Sequence, residues 1–182
     1  MIRWVMWILG GVVLGGMVHL ATVLALPTTA TRDAYSRLTP IAQVNTVVSL
    51  PPPAPASELM PFMDPAFAAA VCRYDLAAAP LKLTVPVSQA YTSVSFYTRK
   101  GIAYYAINDR AAGRRVIELD LMTARQHADM PEEEDVTAAD RLIVESPTPN
   151  GLIVLKALAP EPGQMASARR TLAGARCRPQ QQ

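Results

Sequence analysis

The chain has 182 residues, 51% of them apolar, with 17 Lys and Arg against 15 Asp and Glu for a formal charge of +2. So even a balance gives no basic surface of the kind nucleic acid demands, and two cysteines are too few for a disulfide framework or a cysteine-only metal site. Sixteen prolines and nine glycines stay below the disordered or collagen-like range, while the positive mean hydropathy of +0.16 has a local cause at the N-terminus.

After a short tail, residues 1–3, the stretch Trp4 to Leu26 has no formal charge and His19 as its only titratable side chain. As a helix it extends about 34 Å at about 1.5 Å per residue, enough to cross a hydrocarbon core of about 30 Å. Trp4 and Trp7 stand where amphipathic rings favour the headgroup zone. A cleaved signal peptide has a shorter apolar stretch followed by small residues, and Thr28-Thr29-Ala30 is a weak site of that kind. The length favours an uncleaved single-pass anchor in the inner membrane; the alternative is a secreted periplasmic protein. Arg3 on one side and Arg32 and Arg37 on the other leave the orientation undecided by charge. Gly11 and Gly15 form a G-x-x-x-G spacing that lets helix backbones approach closely. It suits a homodimer or another membrane helix as partner, set against the plain fact that glycines are common in membrane spans.

Residues 27–63 read as a Pro-rich tether. Leu50 to Ala56 favours polyproline II, and the apolar stretch Ile41 to Leu50 before it either packs onto the domain or forms a loose strand. From residue 64 to 182 the pattern becomes that of a β-rich domain. Asp64-Pro65 suits a helix start, so Ala66 to Cys72 is expected as two helical turns, with a buried strand as the alternative. Leu81 to Val87 alternates strictly, and Pro86 within it indicates an edge or a bulge. Tyr91 to Tyr97 and Ile102 to Ile107 form a hairpin through Thr98-Arg99-Lys100-Gly101. Arg115 to Leu121 alternates again. Arg141 to Glu145 and Leu152 to Ala157 make a further pair across a turn containing Asn150-Gly151. Gly163 to Cys177 carries Met165, Ala168, Leu172 and Ala175 along one helical stripe. The expected fold is mainly β: a small antiparallel sandwich or roll with a C-terminal helix, preceded by a single transmembrane helix.

Tyr74-Asp75-Leu76, Pro80, Val85-Pro86, Tyr91, the strand Ser93 to Tyr97 and the run Tyr104 to Arg110 resemble the bacterial domain-of-unknown-function family 1254, which often accompanies a family numbered 1214. Val144-Glu145-Ser146-Pro147 with Gly151, and a terminal element ending at Cys177, are similar to its short membrane-anchored members. The resemblance implies a β-rich envelope domain and brings no catalytic motif.

Candidate chemistry is sparse. Nothing in the chain matches G-x-S-x-G, H-E-x-x-H, C-x-x-C or a phosphate-binding glycine loop, so no catalytic residue, metal site or cofactor is expected. His127 is the only histidine beyond the apolar stretch and reads as exposed, and the acids Glu132 to Asp135 read as a solvated loop. Asn108-Asp109-Arg110 follows an aromatic strand. Clustering and the family resemblance together make Asp75, Tyr91, Asn108, Asp109 and Arg110 the candidate ligand site, with Arg110 suited to an anion. The alternative is a turn in which Asn108 and Asp109 bond their own backbone. Cys72 and Cys177 would close a disulfide loop of about 105 residues in an oxidising periplasm, against the alternative of two free thiols. The sequence therefore favours an envelope protein with its domain in the periplasm. That domain is a non-enzymatic module for a membrane or periplasmic protein or an envelope molecule; the alternative is a periplasmic enzyme or small-ligand receptor near Asp109 and Arg110.

Overall fold

The computed structural model describes residues 1–29, 33–52, 63–112, 115–130 and 142–180. It divides into two units, Met1–Asp33 and Ala34–Gln182. The first is helix α1, Ile2–Thr29. Its segment Ile2–Leu26 is long and apolar enough to cross a membrane. A Cβ added at Gly11 or Gly15 would meet nothing within 4 Å.

In the second unit the described residues form nine strands in two sheets. The five-stranded sheet has the order β1-β2-β8-β4-β5, built from β1 (Val47–Ser49), β2 (Phe67–Asp75), β8 (Asn150–Leu158), β4 (Thr92–Thr98) and β5 (Ala103–Asn108). The four-stranded sheet has the order β7-β6-β3-β9, from β7 (Leu142–Ser146), β6 (Val116–Thr123), β3 (Leu81–Pro86) and β9 (Arg176–Pro179). Period-two alternation makes this a sandwich. Leu81, Leu83 and Val85 of β3, Val94 and Phe96 of β4, and Ile117, Leu119 and Leu121 of β6 all face one core. Each such side chain contributes about 1.5–3 kcal/mol when fully buried.

The hairpin β4–β5 forms as expected, with Gly101 at φ 78 in its loop. Pro86 lies in β3 between two neighbours, yet β9 pairs only with Leu81 to Thr84, so the missing N–H falls beyond the ladder on that side.

Three expectations need correction. The two helical turns expected over Ala66 to Cys72 are β2, paired with both β1 and β8. Asp64 does cap a turn, its Oδ1 accepting from Ala66 N at 2.9 Å, but that turn opens a strand. Burial on both faces overrides the helix propensity of the alanines: Ala68 and Ala70 face inward, toward the cluster that holds Ala168 and Leu172 of the C-terminal helix α5 (Met165–Ala173), and Val71 faces outward. Small residues let that helix sit close to the sheet. Second, β7 and β8 do not pair. The turn residues Ser146 to Pro149 carry the chain from one sheet to the other, so β7 lies parallel to β6 and β8 lies between β2 and β4. Third, the terminal helix stops at Ala173, and the chain beyond Gly174 returns as β9 against β3.

Residues 34–52, within the stretch read as a tether, belong to the second unit, and of Ile41 to Leu50 one part packs on the sheet and Val47–Ser49 is a strand, in keeping with the two readings given for that stretch. Helix α2 (Ala34–Leu38), Ala42 and Leu50, on either side of the edge strand β1, form a strap on the outer face of the five-stranded sheet, where Leu38, Ala42 and Leu50 bury Val71 and Leu152. Covering those two apolar side chains is the physical reason it docks. The remainder of the proline run, 53–62, lies outside the described residues. Across the sandwich, Cys72 of β2 and Cys177 of β9 form a disulfide that joins the two sheets.

Candidate functional site

The five residues singled out from sequence do not converge. Ser93 pairs with Asn108 where β4 begins, whereas Asp75 pairs with Asn150 at the opposite end of the sheet. Tyr91, Asn108 and Asp109 do meet, around helix α3 (Asp109–Ala112), in local structural roles. Asp109 Oδ1 accepts from Thr92 N at 3.3 Å, Asn108 Oδ1 accepts from Ala111 N at 3.0 Å, and Tyr91 O accepts from Leu158 N at 2.9 Å. Arg110 is exposed. Asp75 Oδ1 accepts from Ala77 N at 2.9 Å. The Asn108 and Asp75 bonds are turn-forming bonds of short polar side chains, the Asp109 bond ties α3 to the start of β4, and the Tyr91 bond is backbone to backbone. His127 of helix α4 (Ala124–Ala128), expected to be exposed, is partly covered and holds Glu145, Nδ1 to Oε1 at 2.6 Å.

Two other constellations emerge from the fold. The first is a buried run of hydroxyls between the sheets. Tyr104 Oη donates to Tyr74 Oη at 3.1 Å, and Tyr74 Oη lies 2.9 Å from Ser146 Oγ, which donates to Thr148 O at 2.6 Å. Ser146 spends its proton on Thr148, and the single proton of Tyr74 has two acceptors in reach, Ser146 Oγ and Tyr97 O, the latter at 3.4 Å. Tyr74 and Tyr104 belong to the five-stranded sheet and Ser146 to the other, so the run ties the two layers together. Gly151 makes room for it: a Cβ there would collide with the Tyr74 hydroxyl and the Tyr97 carbonyl. Burial pushes the Tyr104 phenol well above its usual range, Tyr74 adds to the effect, and Ser146 opposes it. Among the described residues no base is bonded to this set, and Glu145, next to Ser146, is bonded to His127.

The second is a groove of about 370 Å³ on the outer face of the five-stranded sheet. Strand alternation builds its floor: Ala69 of β2 and Leu152 and Val154 of β8 point away from the core, with Leu50, Met63 and Phe67 beside them. Tyr35 of α2 forms one wall, and Tyr97, Thr98, Arg99 and Gly101 of the β4–β5 hairpin form the other. Arg73 positions Tyr35. Its guanidinium lies 4.6 Å from the ring centroid and donates to Thr39 O at 3.2 Å, Ala42 O at 3.0 Å and Tyr35 Oη at 3.3 Å. Arg99 also lies over the Tyr35 ring, at 5.3 Å, and Lys156 Nζ stands 6.0 Å from the Phe67 ring. Among the described residues Asp64 is the only carboxylate in the lining, and it is bonded to Ala66 N. An apolar floor with a few polar groups at its edge is the usual composition of a small-molecule site, and the volume lies toward the small end of such sites.

Sequence reasoning passed over these residues because half of them come from the presumed tether and a hairpin loop. One signal was present. Leu152 to Leu155 is apolar at every position, which marks a strand covered on both faces.

The architecture is thus that of a two-sheet β domain with one face open as a groove, on a chain with an N-terminal apolar helix. A family model for proteins of unknown function, DUF1254, matches residues 44–179. The chain belongs to this family. The crystal structure of the Vibrio parahaemolyticus protein VPA0106 shares the fold with a TM-score of 0.58 at 13% identity, over 81% of this chain and 34% of that one. An uncharacterised Burkholderia cenocepacia protein superposes with a TM-score of 0.48 at 15% identity, over 80% of this chain and 36% of that one. The chain therefore spans about a third of the length of either protein. No curated protein matches it.

Proposed function

We propose that this chain is a single-pass protein of the cell envelope whose β domain is a non-enzymatic binding module, and that the outer-face groove is its ligand site. The observation that carries the reading is the groove itself: apolar side chains on the outer face that the strap leaves half covered, with cationic and aromatic groups at the edge. The apolar helix Ile2–Leu26 supports anchoring in the inner membrane. The Cys72–Cys177 bridge supports a domain on the oxidising, periplasmic side. Gly11 and Gly15 give α1 a surface for a second copy or another membrane helix. A site at Asp109 and Arg110 is less favoured, because Asn108 and Asp109 already spend their side-chain oxygens on nearby backbone.

The test uses the full chain in lipid nanodiscs, irradiated with diazirine-bearing dodecanol and dodecanoate and mapped by peptide mass spectrometry. At least one of the two probes is expected to label the peptides carrying Ala69 and Val154, and Val154→Trp, which fills the groove, is expected to abolish this with the melting temperature unchanged. Absence of label there from both probes, or equal labelling of the Trp variant, would overturn the reading. A cysteine placed at exposed Glu161 (Glu161→Cys) tests the compartment. It is expected to react with a membrane-impermeant maleimide in intact cells, and reaction only after lysis would refute the periplasmic assignment.

A further inference from the structure

Resting on that reading of the groove, we infer that its ligand is a single-chain anionic amphiphile, a fatty-acid-like molecule with one aliphatic chain and one acidic head. The argument begins with charge. Arg99 and Lys156 are cations in the lining of an apolar groove, and among the described residues neither has a carboxylate partner. Both instead lie against aromatic rings, Arg99 over Tyr35 and Lys156 toward Phe67. A guanidinium on a ring face keeps its edge N–H groups available, in the planar fork that matches a carboxylate. Among the described lining residues there is one carboxylate, Asp64, against two cations, Arg99 and Lys156, so their sum is positive.

The floor then decides what is attached to the anion. Leu50, Met63, Phe67, Ala69, Leu152 and Val154 present no charged or hydrogen-bonding side chain, and the strand positions among them line up along the outer face. A linear aliphatic chain matches that surface, whereas a sugar or a peptide backbone would leave polar groups unpaired against it. About 370 Å³ suits one chain, and a two-chain lipid would overfill it. Arg73 fixes the wall from beneath, donating to Tyr35 and to two strap carbonyls, so Tyr35 is in place before a ligand arrives.

The test compares the same two photoreactive probes on the full chain in nanodiscs, with labelling of groove peptides divided by labelling of α1 in the same molecule. This ratio cancels the different partitioning of acid and alcohol into the bilayer. Dodecanoate is expected to exceed dodecanol by about tenfold, the discrimination one charge-assisted hydrogen bond supplies. Arg99→Gln and Lys156→Gln should each reduce the excess, and the double variant should remove it while dodecanol labelling stays as in the wild type. Equal ratios for acid and alcohol in the wild type would overturn the anionic head and leave the groove standing as an apolar site. An excess that survives in the double variant would overturn the assignment to these two cations. Absence of groove label from both probes would overturn the site along with its ligand.

Discussion

The two faces of the five-stranded sheet are built from the same strands and have opposite fates. On the inner face Cys72, Tyr74, Phe96, Ile153 and Leu155 are sealed by the second sheet and helix α5, crossed by a disulfide and tied by a run of hydroxyls. On the outer face Ala69, Leu152 and Val154 have only a strap and a hairpin loop beside them, and a groove remains. In a strand the two faces interleave residue by residue, so each can be changed while its neighbours hold the other. The inner face secures the fold, and the outer face keeps the groove on which the proposed ligand site rests.

Changes to the inner face should have the largest effects. Gly151→Ala drives a methyl group into the Tyr97 carbonyl and the Tyr74 hydroxyl, one of them backbone that cannot yield. A loss above about 4 kcal/mol is expected, seen as failure to recover folded chain with near-ultraviolet dichroism; a folded variant of normal stability would refute the close approach. Next, replacing Cys72 and Cys177 together by Ala opens a loop with a sequence separation of 105. Denaturant unfolding should show a loss of roughly 4–5 kcal/mol on the chain-entropy model, while photolabelling of the groove continues in the fraction that remains folded.

The outer face should respond locally. Arg73→Ala frees Tyr35 and the strap carbonyls of Thr39 and Ala42, at a cost of about 2 kcal/mol. Amide exchange should accelerate over residues 34–50 while β3 and β6 keep their protection. Acceleration spread evenly over both sheets would show that the strap is not a separable layer. The smallest effect is one of pH. Tyr104 has its phenol pKa raised in the folded chain, so the folded state holds the proton more tightly than the unfolded one. Its stability contribution is complete below the ordinary phenol value of about 10 and declines as pH rises above it. The alkaline fall in melting temperature should be shallower in Tyr104→Phe than in the wild type; parallel curves would remove the hydroxyl run from the account.

The apolar helix, the alternating strands β3, β4 and β6 and the Thr98–Gly101 hairpin were all legible in the sequence, since each is dictated by local pattern: length of apolar run, period two, a glycine where φ turns positive. The family resemblance rested on residues of the same kind, and Tyr74, Ser146 and Gly151 within it prove to be one packed cluster. The candidate site was far less legible. Asn108 and Asp109 look alike in sequence whether they bind a ligand or cap a turn, and only the positions of Thr92 and Ala111 settle which bonds they make. Tyr35 and Arg99 are far apart in the chain and become neighbours through the sheet.

What the sequence determined by itself was therefore which side chains share a face, because alternation and helical spacing are properties of a single segment. What only the tertiary structure decided was which segment covers which face: β2 as a strand despite its alanines, β7 beside β6 rather than β8, and α2, Ala42 and Leu50 laid over Val71 and Leu152. Burial on a second face comes from distant residues, and a period along one strand carries no information about the layer that will be laid across it.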